Sequence, residues 1–380
     1  MDKKKILITS TDVMMLQFLV KHAFYLKEQG FEVDVACSDV EGHIEELREI
    51  FRDKENLNVI ECVRSPFSPK NIRGYKQMKK LINEGGYDVI WTNEPVMGVI
   101  TRFATRKARK KGTKVIYFAH GFHFFKGASL KMWLIFYPVE KFMARYTDKL
   151  ITINGEDYAF ARKHFKRCAP EYFNGIGVNT KKFARTGIDT LEKRKQLGVP
   201  DDCKLYLSVA ELEKRKNHDT VIRAFAAAGI ENSCLLICGV GSQKEELEKL
   251  IEKLGVKDKI RLLGYRYDIR ELLETADVFV LGSFQEGLSV AIMEAMAMES
   301  LCVISRIRGN VDLIDEGNAV FFDPKDVNSV KEALIRASNE IGNFEEAKKK
   351  NVEKIKNFDS EIILERMLDT INKLVSTETL

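Results

Sequence analysis

The sequence predicts an α/β protein built from two doubly wound, Rossmann-like domains. Three observations predict it. Short apolar runs alternate with helix-period stretches along the whole chain. Run after run ends in Gly or Ser just before the next helix. The 380 residues exceed one ordinary core and fit two domains.

Residues 6–9 read as the first strand. Residues 12–30 carry apolar positions at helical spacing (Leu16, Leu19, Val20, Ala23, Phe24, Leu26) and stop at Gly30. Residues 32–38 form the second strand and close a βαβ unit. The loop between, with Thr11 and Asp12, lacks Gly-x-Gly-x-x-Gly, which argues against a dinucleotide site there. Strands at 59–63 and 89–92 flank a basic helix at 72–84, and Asn93-Glu94-Pro95 ends the later strand. A helix rich in bases follows, with Arg102, Arg106, Lys107, Arg109, Lys110 and Lys111. The strand at 115–118 runs into Ala119-His120-Gly121-Phe122-His123. A His at the carboxyl end of a parallel strand stands where open α/β sheets place ligand groups, so His120 and His123 are candidates. Residues 124–146 mix aromatics with bases, among them Phe124, Lys131, Trp133, Phe136, Tyr137, Lys141 and Arg145. Such a stretch suits a helix lying on an anionic membrane surface; the alternative is an amphipathic core helix. A strand at 149–154, an apolar run at 172–177 and a linker from Val178 to Phe183 complete the first half.

The second half repeats the alternation. Strands are expected at 205–209, 235–238, 260–263, 278–281, 302–305 and 319–322. Helices fall at 217–228, opened by Asn217, and at 244–254, 268–274, 309–315 and 326–340. The tail, 344–380, is helical and charged. Its apolar face, Ile362, Ile363, Leu364, Met367, Leu368 and Ile371, needs a docking surface.

The chain is organised around residues 282–298. After the strand at 278–281 comes a loop with Gly287, which lets backbone approach a ligand, then Ser289, an N-cap. The amides of Gly287, Leu288 and Ser289 stand at a helix N-terminus, an anion site suited to a diphosphate. Glu286 and Glu294 flank it. Ser289 to Glu294 spans about 7–8 Å of helix, close to the reach from a phosphate to the far edge of a ribose. Carboxylates beside a diphosphate are better used to accept hydrogen bonds from hydroxyls. The plainer alternative is a strand-turn-helix with two solvated glutamates.

Composition excludes other classes. A net charge of +5, from 61 bases and 56 acids, does not argue for nucleic acid. Seven cysteines without a Cys-x-x-Cys read as buried free thiols in a reducing cytoplasm. No apolar run approaches the roughly 20 residues that span a bilayer. Lys3-Lys4-Lys5 before Ile6 suggests a signal peptide, but Ser10, Thr11 and Asp12 interrupt the apolar stretch, so a first strand is expected instead.

Taken together, these residues resemble a retaining glycosyltransferase of family 4 with the GT-B architecture, two Rossmann-like domains facing a cleft. The resemblance rests on Glu286 and Glu294 with Gly287-Leu288-Ser289 between them, Gly239-x-Gly241, Gly264-Tyr265, 276–280, Gly177-Val178-Asn179-Thr180 with Phe183, and His120-Gly121. It covers nearly the whole chain, and 119–129 and 137–158 are similar to bacterial enzymes of capsular, exopolysaccharide and lipopolysaccharide assembly.

The resemblance implies an acceptor-binding domain at 1–180, a nucleotide-sugar-binding domain at 181–355, and a last helix, 356–380, that crosses back to the first. It implies that Glu286 contacts the donor sugar, Glu294 the ribose, and 287–289 the diphosphate. Gly239, Gly241 and Tyr265 join the donor site. Lys216 matches a phosphate-binding lysine. The family's usual Arg five residues earlier is Glu211 here, and Arg215 is the candidate to replace it. Thr11, Asp12, Gly121 and His123 are the first-domain cleft candidates, with His120 beside the reacting centre. The implied reaction moves a sugar, with retention, from a UDP-sugar to a membrane lipid-diphosphate saccharide. It takes place on the inner face of the plasma membrane. With no Asp-x-Asp in the chain, no metal or other cofactor is expected, and the helix dipole, amides and Lys216 would offset the leaving charge. Two alternatives stay open: a catalytically silent nucleotide-sugar-binding subunit, suggested by Glu211, and a GT-B epimerase.

Overall fold

A computed structural model describes residues 3–39, 42, 44–51 and 56–376, with backbone only for Asp12, Met14 and Glu46. The chain separates into two compact units, Met1–Ile176 with Glu361–Leu380, and Gly177–Ser360.

The first unit holds seven parallel strands. They are β1 (Lys5–Asp12), β2 (Glu32–Ser38), β3 (Leu57–Val59), β4 (Val89–Asn93), β5 (Lys114–Ala119), β6 (Lys149–Thr152) and β7 (Ala169–Tyr172), in spatial order 3-2-1-4-5-6-7. The order reverses between β1 and β4, which pair with Ile6 opposite Val89 and Ile8 opposite Trp91. Ile6, Leu7, Ile8, Ile90 and Trp91 are fully buried, as helices on both faces of a parallel sheet require.

Two strands differ from expectation. The strand expected at 59–63 occupies Leu57–Val59 instead. The Gln77 and Asn71 side chains accept from the amides of Glu61 and Val63 and take them out of the ladder. β7 was not expected: the apolar run read at 172–177 shares only Tyr172 with it. It is a short edge strand, and Pro170, which lacks a ladder donor, is tolerated at such an edge.

The second unit holds β8 (Lys204–Val209), β9 (Ser233–Cys238), β10 (Ile260–Gly264), β11 (Val278–Leu281), β12 (Leu301–Ser305) and β13 (Val320–Phe322), all parallel, in spatial order 10-9-8-11-12-13. This is the same winding, with the reversal between β8 and β11. Asn217 opens the next helix at its N-cap position, but its side chain makes no cap bond. It sits at φ 58, and its Nδ2 instead donates to the carbonyls of Gly282 and Pro324, at 2.9 Å each.

The two segments that leave the second unit run side by side. The Val178 amide donates to Phe358 O at 2.9 Å, and the Ser360 amide to Val178 O at 2.8 Å. A Cβ on Gly177 would lie 2.5 Å from Ser360 Cα, so only glycine fits there. The last helix, Ser360–Ser376, belongs to the first unit from Glu361 onward. It buries Ile363, Leu364, Met367 and Ile371 and leaves Ile362 exposed. Its Arg366 lies over the Phe173 ring, 4.4 Å from the centroid. All seven cysteines are buried free thiols. Among the described residues, no helix is long and apolar enough to cross a membrane.

Candidate active site

In each unit the ends of the two strands at the reversal carry the charged and hydrogen-bonding groups. Open α/β sheets bind ligands at this place because the loops there part to opposite faces.

In the second unit, β8 leads into a loop ending at Lys216, and β11 into the loop 282–289. Lys216 Nζ lies 2.6 Å from Glu286 Oε1, and Ser283 Oγ donates to the same oxygen at 2.6 Å. Both charged side chains are largely buried, 13% and 8% exposed, which requires their pairing. The Phe284 amide donates to Arg215 O at 2.8 Å and ties the two loops together. Ser289 caps the helix Val290–Ala297, its side chain accepting from the Ile292 amide. A Cβ on Gly309 would lie 2.5 Å from Gly287 O, so the turn after β12 closes directly on this loop. Gly239 and Gly241 serve close approach too. A Cβ would meet Ala210 O at 1.9 Å and Leu212 O at 2.6 Å.

Glu294 is partly buried on the same helix. Desolvation pushes its carboxyl up to about 7, opposed by the Lys182 charge. Arg215 pairs with Glu211, so the residue standing where a second cation was expected occupies the candidate replacement. Tyr265 is 60% exposed beyond β10, with its ring edge-on to Tyr267, centroids 5.0 Å apart.

In the first unit, Asn93 ends β4 and His120 follows β5. Asn93 Nδ2 donates to Thr9 O at 3.0 Å, which turns Oδ1 toward His120 Nε2, also 3.0 Å away. That arrangement places the imidazole proton on Nε2. His120 stacks on Phe118, centroids 4.8 Å apart, and burial lowers its pKa to about 3, helped by nearby His22. The ring is therefore neutral at physiological pH. Gly121 adopts φ 123, and the Phe122 amide donates to Asp157, next to the Asn154 cap of the helix Gly155–His164. The Thr11 amide donates to Glu94; Asp12 ends β1, and its side chain lies outside the described residues. His123 stacks on Phe136, centroids 4.5 Å apart, on the flank of an aromatic cluster.

That cluster decides the inward side of 124–146. Phe124 is buried, and its ring lies 5.4–5.6 Å from those of Trp133, Tyr137 and Phe160. These aromatics are core. The outward face of the helix Leu130–Met143 carries Leu130, Met132, Leu134, Val139 and Phe142 with Lys131 and Lys141.

Ser283, Lys182, Asn93 and Glu94 escaped the assignment of site residues. Only Glu94 carried a signal: a charged residue before proline at a strand end.

Two doubly wound parallel-sheet units with these strand-end loops define the GT-B class of glycosyltransferases. The chain belongs to the bacterial family 4 glycosyltransferases of polysaccharide biosynthesis. Residues 6–154 match the family described as Glycosyl transferase 4-like, and residues 189–355 match Glycosyl transferases group 1. The chain is 37% identical over 326 residues to a Bacillus subtilis (strain 168) protein named as the glycosyltransferase EpsD, covering 84% of this chain and 83% of that one. It is 30% identical over 298 residues to an Escherichia coli UDP-Gal:alpha-D-GlcNAc-diphosphoundecaprenol alpha-1,3-galactosyltransferase, covering 74% and 76%. The fold is similar to that of Anabaena HepE in complex with UDP and glucose, with a TM-score of 0.80 at 18% identity over 97% of this chain and 100% of that one.

Proposed function

We propose that this glycosyltransferase moves a hexosyl or N-acetylhexosaminyl group from a UDP-sugar to a lipid-diphosphate-linked saccharide. It would do so with retention, without a metal, from the cytoplasmic face of the membrane. The observation that carries the reading is the Lys216–Glu286 contact at the β8/β11 reversal. It supports a reading in which the cation holds a diphosphate and the carboxylate accepts from sugar hydroxyls. Relatives supply the substrate classes: a UDP-Gal donor and a GlcNAc-diphosphoundecaprenol acceptor in the E. coli enzyme's name, and UDP with glucose bound to HepE.

In this reading the leaving UDP gathers negative charge in the transition state. Lys216, the N-terminus of the helix Val290–Ala297 and the amides of 287–289 stabilise it. Glu294 accepts from ribose hydroxyls and Glu286 from the donor sugar, while Tyr265 flanks the base. The departing phosphate takes the acceptor proton, so no covalent nucleophile is needed. Neutral His120 contributes a hydrogen bond rather than a charge. The first unit holds the acceptor. The outward face Leu130, Leu134, Val139 and Phe142, with Lys131 and Lys141, supports docking on anionic lipid.

Thermal shift against UDP-, GDP- and ADP-sugars, with and without EDTA, tests the donor assignment. A bound donor at about 100 times its Kd adds about 2.7 kcal/mol. A shift with one UDP-sugar, unchanged by EDTA and lost in Glu294→Ala, is expected. No shift with any nucleotide sugar moves the silent-subunit reading ahead. Flotation with anionic and neutral liposomes tests the membrane assignment, which fails if neither binding nor turnover depends on lipid.

A further inference from the structure

The loop from β8 to the helix His218–Ala228 is pinned along its backbone. The Ala210 amide donates to Cys238 O at 3.0 Å and the Leu212 amide to Val240 O at 2.9 Å. His218 Nε2 donates to Glu211 O at 3.2 Å. The Glu213 carboxylate accepts from the amide and the hydroxyl of Ser242, at 2.9 Å each. The Phe284 amide holds Arg215 O at 2.8 Å, and the Lys216 side chain ends on Glu286. Glu211 and Arg215 stand out from this fixed frame, 54% and 49% exposed and paired with each other.

Their pairing is not that of an ordinary helix surface. Asp219–Arg223, Lys244–Glu248 and Arg336–Glu340 have the same spacing, but they lie within helices, where the helical turn brings them together. Glu211 and Arg215 span the loop at the carboxyl end of β8, beside the reversal of the sheet. The carbonyl of Arg215 is tied to the loop 282–289, which leads into the helix Val290–Ala297.

Charge decides what the pair can do there. Lys216 and Glu286 cancel, and so do Arg215 and Glu211. A nucleoside diphosphate is a polyanion, and these two pairs offer it no net attraction. Lys216 cannot leave its partner, because Glu286 would be stranded as a buried charge. Arg215 can. An exposed ion pair contributes little, and a guanidinium meets phosphate oxygens with two parallel hydrogen bonds. A change of rotamer moves the guanidinium while the frame stays fixed.

We propose that Glu211 is a resting counter-ion that holds Arg215 until a nucleoside diphosphate displaces it, whereupon Arg215 becomes a second cation on the phosphates and Glu211 weakens their hold. The proposal rests on the donor site read above. It also gives Glu211 a use in turnover. UDP carries more negative charge than a UDP-sugar, because loss of the sugar leaves a terminal phosphate that ionises again. The freed carboxylate therefore opposes UDP more strongly than the UDP-sugar and hastens departure of the product.

The test is titration calorimetry on the full chain, with Arg215→Gln, Glu211→Gln and the double variant. The probes are UDP, UDP-glucose, UDP-galactose and UDP-N-acetylglucosamine. All variants keep the wild-type Tm within about 4 °C, which separates binding from folding. Arg215→Gln weakens UDP about tenfold or more. Glu211→Gln tightens UDP about threefold or more and tightens the UDP-sugar less. Arg215→Gln costs more affinity in the Glu211→Gln background than alone, because there the guanidinium has no carboxylate to leave. Equal costs in the two backgrounds mean that Arg215 never leaves Glu211 and overturn the proposal. An unchanged UDP affinity in Arg215→Gln overturns it too, and leaves the donor site standing. A wild type that binds none of the probes removes the donor site and the proposal with it.

Discussion

Each unit contains a buried ion pair, and the two pairs stand at different places relative to their sheets. In the first unit Arg102 and Glu140 are 1% and 6% exposed and joined at 2.9 Å. Arg102 Nε donates to Gly98 O at 2.8 Å, Tyr117 Oη donates to Glu140 Oε1 at 3.1 Å, and the guanidinium lies 3.8 Å from the centre of the Tyr117 ring. Gly98 leaves the room, since a Cβ there would fall 2.8 Å from that ring. The protein itself surrounds this pair, which binds the helices Pro95–Ala104 and Leu130–Met143 to β5. In the second unit Lys216 and Glu286 are as tightly paired, but they lie on loops at the carboxyl ends of the reversal strands, the place where open α/β sheets bind ligands. Burial and pairing alone therefore do not distinguish the pair proposed to hold a ligand from a structural one. Position relative to the sheet does.

The largest expected effect comes from breaking the structural pair. Arg102→Ala leaves Glu140 buried without its cation and costs about 3–5 kcal/mol in chemical denaturation. Arg102→Met together with Glu140→Leu recovers most of that loss. A cost under about 1 kcal/mol for Arg102→Ala would break the comparison.

The working pair should behave in the opposite way. Lys216→Met with Glu286→Leu keeps stability within about 1 kcal/mol, since an apolar pair replaces an ionic one. It removes the UDP-sugar thermal shift and lowers transfer by about 10²–10³. Retained transfer would return both residues to a structural role.

A smaller effect sharpens the account of the loops. Gly239→Ala forces a Cβ against Ala210 O and should cost about 1–3 kcal/mol, read as a lower Tm with the first unit unaffected.

The smallest effects are pH slopes, each at most about 1.4 kcal/mol per pH unit per group. Burial lowers His120 to about 3 and His22 to about 4. The folded state binds fewer protons at these rings than the unfolded one. Their contribution is full above the unfolded value of 6.5 and is lost as pH falls from there, through about 4 for His22 and about 3 for His120. Glu294 has the opposite sign. Its carboxyl is raised from 4.5 to about 7, so the folded state holds the extra proton and stability falls as pH rises through that window. In the proposed donor site ribose hydroxyls donate to the ionised form, so UDP-sugar binding should tighten as pH rises through about 7. Glu294→Gln should flatten that dependence, as measured by titration calorimetry.

Much of the fold was legible because a parallel sheet covered on both faces needs unbroken apolar strands. Runs such as Val278-Phe279-Val280-Leu281 and Val89-Ile90-Trp91 have no other good use. The edges were less legible. β3 stops at Val59 because side chains of a later helix capture the next amides, and no local pattern encodes that. The same holds for the aromatics of 124–146. Their composition fits a membrane face or a core equally, and packing against Phe160 and Phe165 decides for the core.

The sequence by itself determined the two alternating halves, the loop from Glu286 to Glu294 with its glycine and N-cap, and the His-Gly after β5. These are local features, set by side-chain period, backbone permissiveness and short-range hydrogen bonding. The tertiary structure alone decided which charges meet. Lys216 reaches Glu286 across 70 positions, Arg102 reaches Glu140 across 38, and Ser10 and Thr11 reach Glu94 across 84 and 83. Such contacts arise because the winding order brings strands distant in sequence side by side. Their chemistry follows from desolvation, which exists only once the chain has closed around them.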